Sequence, residues 1–366
     1  MRAAMYIAGS KNMIVDDISI ADPAPGQVRV EVHHCGICHS DLTVLEGDYG
    51  MAPMVLGHEA AGIVDAVGSG VESLNVGDKV VLTPIASCGR CYWCTRGQPG
   101  GCVTNSNVFG ATFQDGSTGL SRGDEVVYRG MGVGGFGEMA LVTETGAVKV
   151  PDDTPLDVAC VIGCAVQTGA GAVLNTAQIE SGATVLVLGL GGIGLSVVQG
   201  ARVAGAARII ASDPVASRRD MAKAFGATDL VDPTQEDLAA AIADATGGIG
   251  VDYAFEAAGV GALQNVGIDA CRAGGTMVMV GAPPVDHDLT IPNALFFGMA
   301  EKRLMGCFMG SSNSLRDIPR YVALWRAGQL DLEALITNRL PLADIDAGFE
   351  DLAAGIGVRT VVDVQR

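Results

Sequence analysis

Positive charge is what this chain has least of. Its 23 Lys and Arg stand against 41 Asp and Glu, giving a net charge of −18 at pH 7. Such a surface repels polyphosphate and offers no long-range attraction to nucleic acid or anionic lipid. No nucleic-acid or membrane partner is therefore expected. Long hydrophobic runs are missing as well. The most apolar stretch, 185–198, is broken by four glycines and Ser196, short of the roughly 18 apolar residues a spanning helix needs. The apolar run at 3–8 is too brief for the core of an export signal. With no such signal, the ten cysteines point to reduced thiols in a cytoplasmic setting, where clustered thiols are metal ligands more often than disulfides. Aromatics are only 5% of the chain, but apolar residues make up 49% and there are 51 glycines, about twice average glycine usage. That balance fits a tightly turned α/β protein and argues against disorder.

At about 150 residues per domain, 366 residues suggest two domains or slightly more. Up to about residue 160 the chain reads as β, in short alternating runs such as 28–32 and 79–82 between Gly, Pro and Asp. A barrel-like or folded sheet is expected there. From about 183 the pattern changes. Buried strands at 185–188, 208–212, 230–232, 251–255, 277–280 and 304–308 alternate with helical stretches at 193–204, 218–225, 238–245 and 262–270. This is βαβ repetition, which predicts a parallel sheet with helices on both faces. Beyond about 310 come helix-like pieces at 319–327 and 342–353 and a strand at 359–364, expected to return to the first domain. The boundaries expected are 1–165, completed by 310–366, and 166–309. No solenoid repeat or low-complexity segment is present.

Three constellations carry chemistry. Cys88, Cys91, Cys94 and Cys102 follow C-x2-C-x2-C-x7-C on a Gly-rich loop. Four thiolates so spaced close a tetrahedron round Zn²⁺ with no open position, which defines a structural site. Disulfides, free surface thiols and an iron–sulfur cluster are the competing readings. Next, the stretch from Gly36 to Asp41, the Gly57-His58-Glu59 triplet and the distant Gly163-Cys164 offer a Cys2His set with a fourth position open, the pattern of a catalytic zinc. His33, His34, Cys35 and Cys160 are rival ligands at similar spacings, and spacing does not choose between Cys35 and Cys38. Third, Gly189, Gly191, Gly192 and Gly194 lie in GLGGIG after an apolar strand and before a helix, and Asp213 closes the next strand. Glycines there permit a tight turn and close approach to a pyrophosphate at the helix N-terminus, while the acid accepts from a ribose hydroxyl. Asp213 would repel a 2′-phosphate, which favours NAD over NADP, although Arg218 and Arg219 stand close by.

In this order and on a chain of this length, the three sets resemble the zinc-containing alcohol dehydrogenases of the medium-chain dehydrogenase/reductase family. GHE at 57–59, the four-cysteine loop, GLGGIG at 189–194 and IGCAVQTG at 162–169 carry the likeness, which spans essentially the whole chain. The resemblance implies an α/β architecture with a GroES-like, β-rich catalytic domain and a Rossmann coenzyme domain. It implies two Zn²⁺ per chain and NAD(H) as cofactors. Cys38, His58 and Cys164 match its catalytic ligands, and Cys88, Cys91, Cys94 and Cys102 its structural ones. Cys35, Cys160, Cys271 and Cys307 are then core or pocket thiols. By the same resemblance, Asp41 orients the imidazole of His58 and Glu59 lies beneath the metal. Ser40 relays the alcohol proton, Thr168 packs on the nicotinamide and Arg359 reaches the pyrophosphate. Plainer roles stand beside these: Asp41 as a turn former, Ser40 as a helix cap, Arg359 as a solvated strand residue.

Two positions depart from the family pattern. His39 replaces the common Arg, a weaker and titratable partner for pyrophosphate. Thr43 replaces the histidine that ends the relay, and a hydroxyl is no base near neutral pH; water or His39 remain as final acceptors. Pro84, Met131, Ala282 and Phe308 fall where relatives line the alcohol pocket, and all are apolar, so a hydrophobic primary alcohol or its aldehyde is the expected small-molecule substrate. The segment 115–135 resembles the long loop of the dimeric branch, so a homodimer is expected. One alternative is oxidation of a thiol adduct of formaldehyde such as S-hydroxymethylglutathione, for which Arg122 and Arg129 would be the carboxylate anchors. Another is a non-catalytic zinc- and nucleotide-binding protein.

Overall fold

The computed structural model describes residues 1–47, 50–291 and 293–366. They divide into two units, Met1–Ala165 with Asn313–Leu324 and Leu332–Arg366, and Val166–Ser312 with Trp325–Asp331.

The first unit is organised by one long strand, Gln27–Gly36. Val28, Val30 and Val32 are fully buried while Arg29 and Glu31 between them are not, the period-two pattern of a strand with one face on a core. Its length gives it three antiparallel partners. Glu59–Val67 runs along it from Gly36↔Glu59 to Val28↔Val67. Met139–Thr143 pairs with its first half and Arg359–Asp363 with its last residues. Lys79–Leu82 and Ala147–Lys149 extend the sheet on one side and Ile336–Pro341 on the other. The core behind it gathers Val30, Cys35, Leu56, Val64, Leu82, Phe136 and Phe349. Each such side chain contributes about 1.5–3 kcal/mol on burial.

The second unit is a six-stranded parallel sheet with the spatial order Asp229–Val231, Arg208–Ser212, Thr184–Leu188, Val251–Glu256, Cys271–Met279 and Arg303–Gly306. Numbered along the chain, this is 3-2-1-4-5-6, the Rossmann order. Val185, Leu186, Val187 and Leu188 are at most 1% exposed, as a strand covered on both faces requires. Helices Gly192–Val203, Ala216–Phe225, Leu238–Thr246 and Gly261–Ala270 fill the crossovers.

Several boundaries differ from expectation, among them Trp325–Asp331, which joins the second unit rather than the first. The fifth strand begins at Cys271 rather than 277: Cys271 already pairs with Val251, and a register shift near Tyr253 absorbs the Gly274-Gly275 pair that reads as a turn. The sixth ends at Gly306, so Phe308 lies beyond it. The helix expected to open at Pro319 begins at Ser314, because Asp317 accepts from the Asn313 N–H at 3.0 Å and caps the turn ahead of the proline.

The loop between the first Rossmann strand and its helix has no room for a side chain at Gly189 or Gly194. Gly189 has φ +88, and a Cβ on Gly194 would collide with the Gly189 carbonyl oxygen. Gly194→Ala is expected to cost about 1–3 kcal/mol of stability and to weaken dinucleotide binding. A thermal melt together with a nucleotide titration checks both, and a variant unchanged in each would show that the loop has slack.

Candidate active site

Cys38 stands at the N-cap of the helix His39–Glu46. His58 lies just before the strand Glu59–Val67, and Cys164 just after the short turn Cys160–Gly163. All three are buried, at 4%, 2% and 4% exposure, and their ligand atoms lie within 4.8 Å of one another. Gly57 makes the approach possible. It has φ +88, and a Cβ there would meet Phe136 and the Cys35 sulfur at 2.8 and 2.9 Å.

Asp41, with no exposed surface, ties the pieces together. Its Oδ2 accepts from the Cys38 N–H at 3.1 Å, and its Oδ1 accepts from the Gly57 N–H at 3.0 Å and lies 3.1 Å from His58 Nδ1. A carboxylate there assigns the ring proton to Nδ1 and leaves Nε2 as the ligand atom. Glu59 and Arg359 are also buried, with Arg359 Nη2 3.2 Å from Glu59 Oε1 and Nη1 donating to the Ile37 carbonyl at 3.1 Å. Neither Glu59 oxygen makes a well-formed hydrogen bond, so the pair is held by charge more than by alignment. Arg359 is thus no solvated strand residue; its guanidinium is buried against the acid beside the ligands.

Without a cation, this donor set shares protons. A hydrogen bond from Cys164 holds Cys38 well below the usual thiol range, helped against burial by His58 and Arg359. The same bond pushes Cys164 well up, as does burial. Burial opposes protonation of His58, yet Asp41 and the Cys38 thiolate hold it well above an ordinary imidazole. Burial lifts Glu59 to about 7 against the pull of Arg359. Two sulfurs and one imidazole at these separations, with protons standing where a cation would neutralise them, fit Zn²⁺. Among the described residues no fourth side chain joins the group, which leaves the fourth tetrahedral position open.

The rival thiols are placed elsewhere. Cys35 donates weakly to the Gly36 carbonyl and packs against Gly57 and Gly135; Cys160 donates to the Asp157 carbonyl at 3.3 Å. Burial raises both well above the usual thiol range, so they remain neutral. Ser40 Oγ is 3.7 Å from Cys38 Sγ. His39 and Thr43 are exposed, and the Thr43 hydroxyl donates to the His39 carbonyl at 2.9 Å.

Cys88, Cys91, Cys94 and Cys102 form the second cluster, again within 4.8 Å. The Cys88 N–H donates to Cys102 Sγ at 3.3 Å and Thr104 Oγ1 lies 3.0 Å from it. Backbone N–H groups bring Cys91 down to about 6, while burial and neighbouring sulfurs push Cys94 up to about 12. None of the ten cysteines forms a disulfide. Four ligands with no vertex left over suit a structural metal.

In the second unit Asp213 is 5% exposed and holds the glycine loop, accepting from the Leu190 N–H at 2.7 Å and the Val215 N–H at 2.8 Å. Arg219 donates to the Asp213 carbonyl and pairs with Asp232 at 2.9 Å, and Arg218 is half-buried on the same helix. Thr168 is buried, its hydroxyl 3.6 Å from Met309 Sδ. Of the pocket candidates, Pro84 is buried and Met131 half-buried in the first unit; Ala282 and Phe308 are exposed in the second.

The two anchors suggested for a carboxylate-bearing substrate are not free. Arg129 is 1% exposed and bonded to backbone, and Arg122 pairs with Glu125 at 2.7 Å. Sequence reasoning missed Glu256, fully buried at the end of a Rossmann strand, which accepts from the Ala258 and Val260 N–H groups. The signal was present: like Asp213, it is an acid that closes an apolar strand.

Residues 192–324 match the zinc-binding dehydrogenase family model and residues 24–152 the alcohol dehydrogenase GroES-like domain. An S-(hydroxymethyl)glutathione dehydrogenase of Synechocystis sp. is 36% identical, covering 99% of both chains. Among solved structures, an alcohol dehydrogenase zinc-binding domain protein from Burkholderia ambifaria has a TM-score of 0.94 at 36% identity, over 99% of this chain and 98% of its own. Benzyl alcohol dehydrogenase from Acinetobacter calcoaceticus has a TM-score of 0.91 at 32% identity, with the same coverage. The chain belongs to the zinc-containing alcohol dehydrogenases of the medium-chain dehydrogenase/reductase family, and is an oxidoreductase.

Asp41→Asn is expected to lower the affinity of one zinc about 10–100-fold and leave the other unchanged. Metal analysis after graded chelation reads this directly, and loss of both ions together would contradict the division into two independent centres.

Proposed function

We propose that the protein reversibly oxidises a hydrophobic primary alcohol, aliphatic or aromatic, to the aldehyde, with hydride transfer to NAD. The observation that carries the reading is the Cys38–His58–Cys164 set with one vertex open, oriented by Asp41. Zinc bound there supplies the Lewis acidity that lets an alcohol ionise near neutral pH, and NAD supplies the hydride acceptor. The protein's own residues do the rest. Asp41 keeps His58 Nε2 free as a ligand atom. Ser40, beside Cys38, takes the alcohol proton. Thr43 is tied to its own helix, so the proton passes from Ser40 to His39 or to water.

The substrate class follows from the fate of the basic residues. A glutathione adduct brings carboxylates, and Arg122 and Arg129 are already engaged, whereas an apolar alcohol needs no such anchor. The Synechocystis relative supports formaldehyde oxidation through a thiol adduct as the second reading. NAD is favoured over NADP because Asp213 faces the glycine loop and Arg219 is spent on Asp232.

A homodimer is supported by the edge strand Arg303–Gly306, which among the described residues pairs on one side only, and by Leu295, Phe296 and Met299, 71%, 66% and 71% exposed on the adjoining segment. Reduced thiols at both metal centres support a cytoplasmic location. Among the described residues no single helix is long and apolar enough to cross a membrane.

Turnover of benzyl alcohol and of straight-chain alcohols with NAD is expected, exceeding that with NADP by more than about tenfold, and formaldehyde oxidation should not depend on added glutathione. A glutathione requirement would replace the first reading by the second; no hydride transfer to either nucleotide from any substrate would leave only a binding protein. Light scattering should give twice the chain mass, and a monomer at micromolar concentration would remove the edge-strand interface.

A further inference from the structure

Glu256 has no exposed surface. Its Oε1 accepts from the Ala258 N–H at 2.8 Å and the Val260 N–H at 3.2 Å, while its Oε2 has no hydrogen-bond partner among the described residues. Burial pushes the carboxyl above its usual range, against the pull of those N–H groups. A half-satisfied acid costs stability at an interior position where an apolar side chain of similar volume does not. What Glu256 accomplishes is therefore to be sought in the loop that its one engaged oxygen holds.

That loop, 257–260, stands where the order of the sheet reverses. Glu256 is the last residue of Val251–Glu256 and lies opposite Leu188, the last of Thr184–Leu188. These are the fourth and first strands of the order 3-2-1-4-5-6, and a dinucleotide lies across the carboxyl ends of such a pair, one nucleotide to each side. The loop is closed in on both flanks. Toward the first strand, the Ala257 N–H donates to the Leu188 carbonyl at 2.9 Å, and a Cβ on Gly189 would press on Ala258 at 2.7 Å. Toward the fifth, the N–H groups of Val280 and Gly281 donate to the Glu256 carbonyl at 2.9 and 2.8 Å. A Cβ on Gly281 would collide with the Gly259 nitrogen and come within 2.9 Å of Glu256 Oε2. Gly259 turns with φ +73 against the Ala282 carbonyl. The glycine loop has a separate anchorage. The Gly189 N–H donates to the Ser212 carbonyl at 2.9 Å, and Asp213 accepts from the Leu190 N–H. Each bank of the crevice thus has its own buried acid, Asp213 on the side of the second strand and Glu256 on the side of the fifth.

We infer that Glu256 is a positioning residue for the cofactor: by fixing the 257–260 loop it sets the affinity for the nicotinamide half of NAD, apart from the adenosine half that Asp213 serves. The inference rests on the reading of NAD as hydride acceptor.

The test reads binding to zinc-loaded protein without turnover, NADH by its fluorescence and AMP, which carries the adenosine half alone, by calorimetry. Glu256→Met, which keeps the volume and loses the acceptor, should weaken NADH about tenfold and AMP less than about twofold. Glu256→Gln, whose Oε1 still accepts from both N–H groups, should bring NADH affinity back to within about threefold of the wild type. A folded Glu256→Met with wild-type NADH affinity overturns the inference. Equal weakening of NADH and AMP, the mark of general damage to the unit, overturns it too, as does a Glu256→Gln as weak as Glu256→Met. Should Glu256→Met not fold, amide exchange on the wild-type chain decides. NADH should slow exchange at Ala258 and Val260 about tenfold more than AMP does, and the absence of such a difference refutes the inference. Wild-type protein that binds AMP but no dinucleotide defeats the NAD reading and this inference with it, whereas NADH binding that the variants leave untouched defeats the inference alone.

Discussion

The carboxylate of Asp41 is the contact on which the candidate active site depends. It sits in the first turn of a helix whose N-cap is Cys38, so its position relative to one ligand is a local matter of helix geometry. Its position relative to His58, 17 residues on, is not. By accepting from Cys38 N–H, Gly57 N–H and His58 Nδ1 together, one buried anion turns two chain segments into a single rigid frame. Hydrogen bonds to a charged acceptor contribute about 1.5–3 kcal/mol each. Left without partners, the same carboxylate would cost several kcal/mol in that interior. The frame and the burial therefore stand or fall together.

Charge balance then explains why the chain's end returns to its beginning. Cys38, Glu59 and Asp41 crowd acidic groups into a space where, among the described residues, His58 is the nearby cationic group from the same part of the sequence. Arg359 supplies the second, and it arrives on a strand that pairs antiparallel with the end of Gln27–Gly36, Val361 opposite Gly36. Gly36 accommodates this crowding, since a Cβ there would press on Glu59 Oε2 at 2.5 Å. The metal ligands thus lie within residues 38–164, but the electrostatics of the centre are complete only with the last strand.

Motifs whose meaning is local were legible in the sequence. The four-cysteine loop, GLGGIG and the alternation of strands and helices each encode their geometry within a few residues, and the parallel sheet followed from them. Spacing alone could not separate Cys38 from Cys35, because the choice depends on which sulfur a helix N-terminus turns toward His58; only the resemblance did so. Burial of Arg129 was equally invisible. An arginine between tyrosine and glycine in a loop reads as a solvated anchor, and its true setting is created by Phe113, Gly132 and Leu141 from three separate stretches. The strand starting at Cys271 was shortened in prediction because Gly274-Gly275 carries a turn signal that register with Val251 overrides.

The scarcity of cations shapes how this interior holds its acids. A chain with 23 Lys and Arg against 41 acids cannot give each buried carboxylate a basic partner, and mostly it does not try. Asp41, Asp213 and Glu256 are each buried and each accept chiefly from backbone N–H groups, Glu256 through Oε1 alone, and they hold in turn the metal ligands, the glycine loop, and the loop after the fourth Rossmann strand. Backbone donors are fixed by the fold and carry little conformational entropy to lose, unlike a long basic side chain. Acids used in this way set loop geometry tightly without adding a competing cation near the Zn²⁺ centre. Of the cations that enter the interior, Arg359 beside Glu59 stands next to the ligands, where the charge of the site itself calls for it, whereas Arg129 is buried against the Gly132 and Leu141 carbonyls.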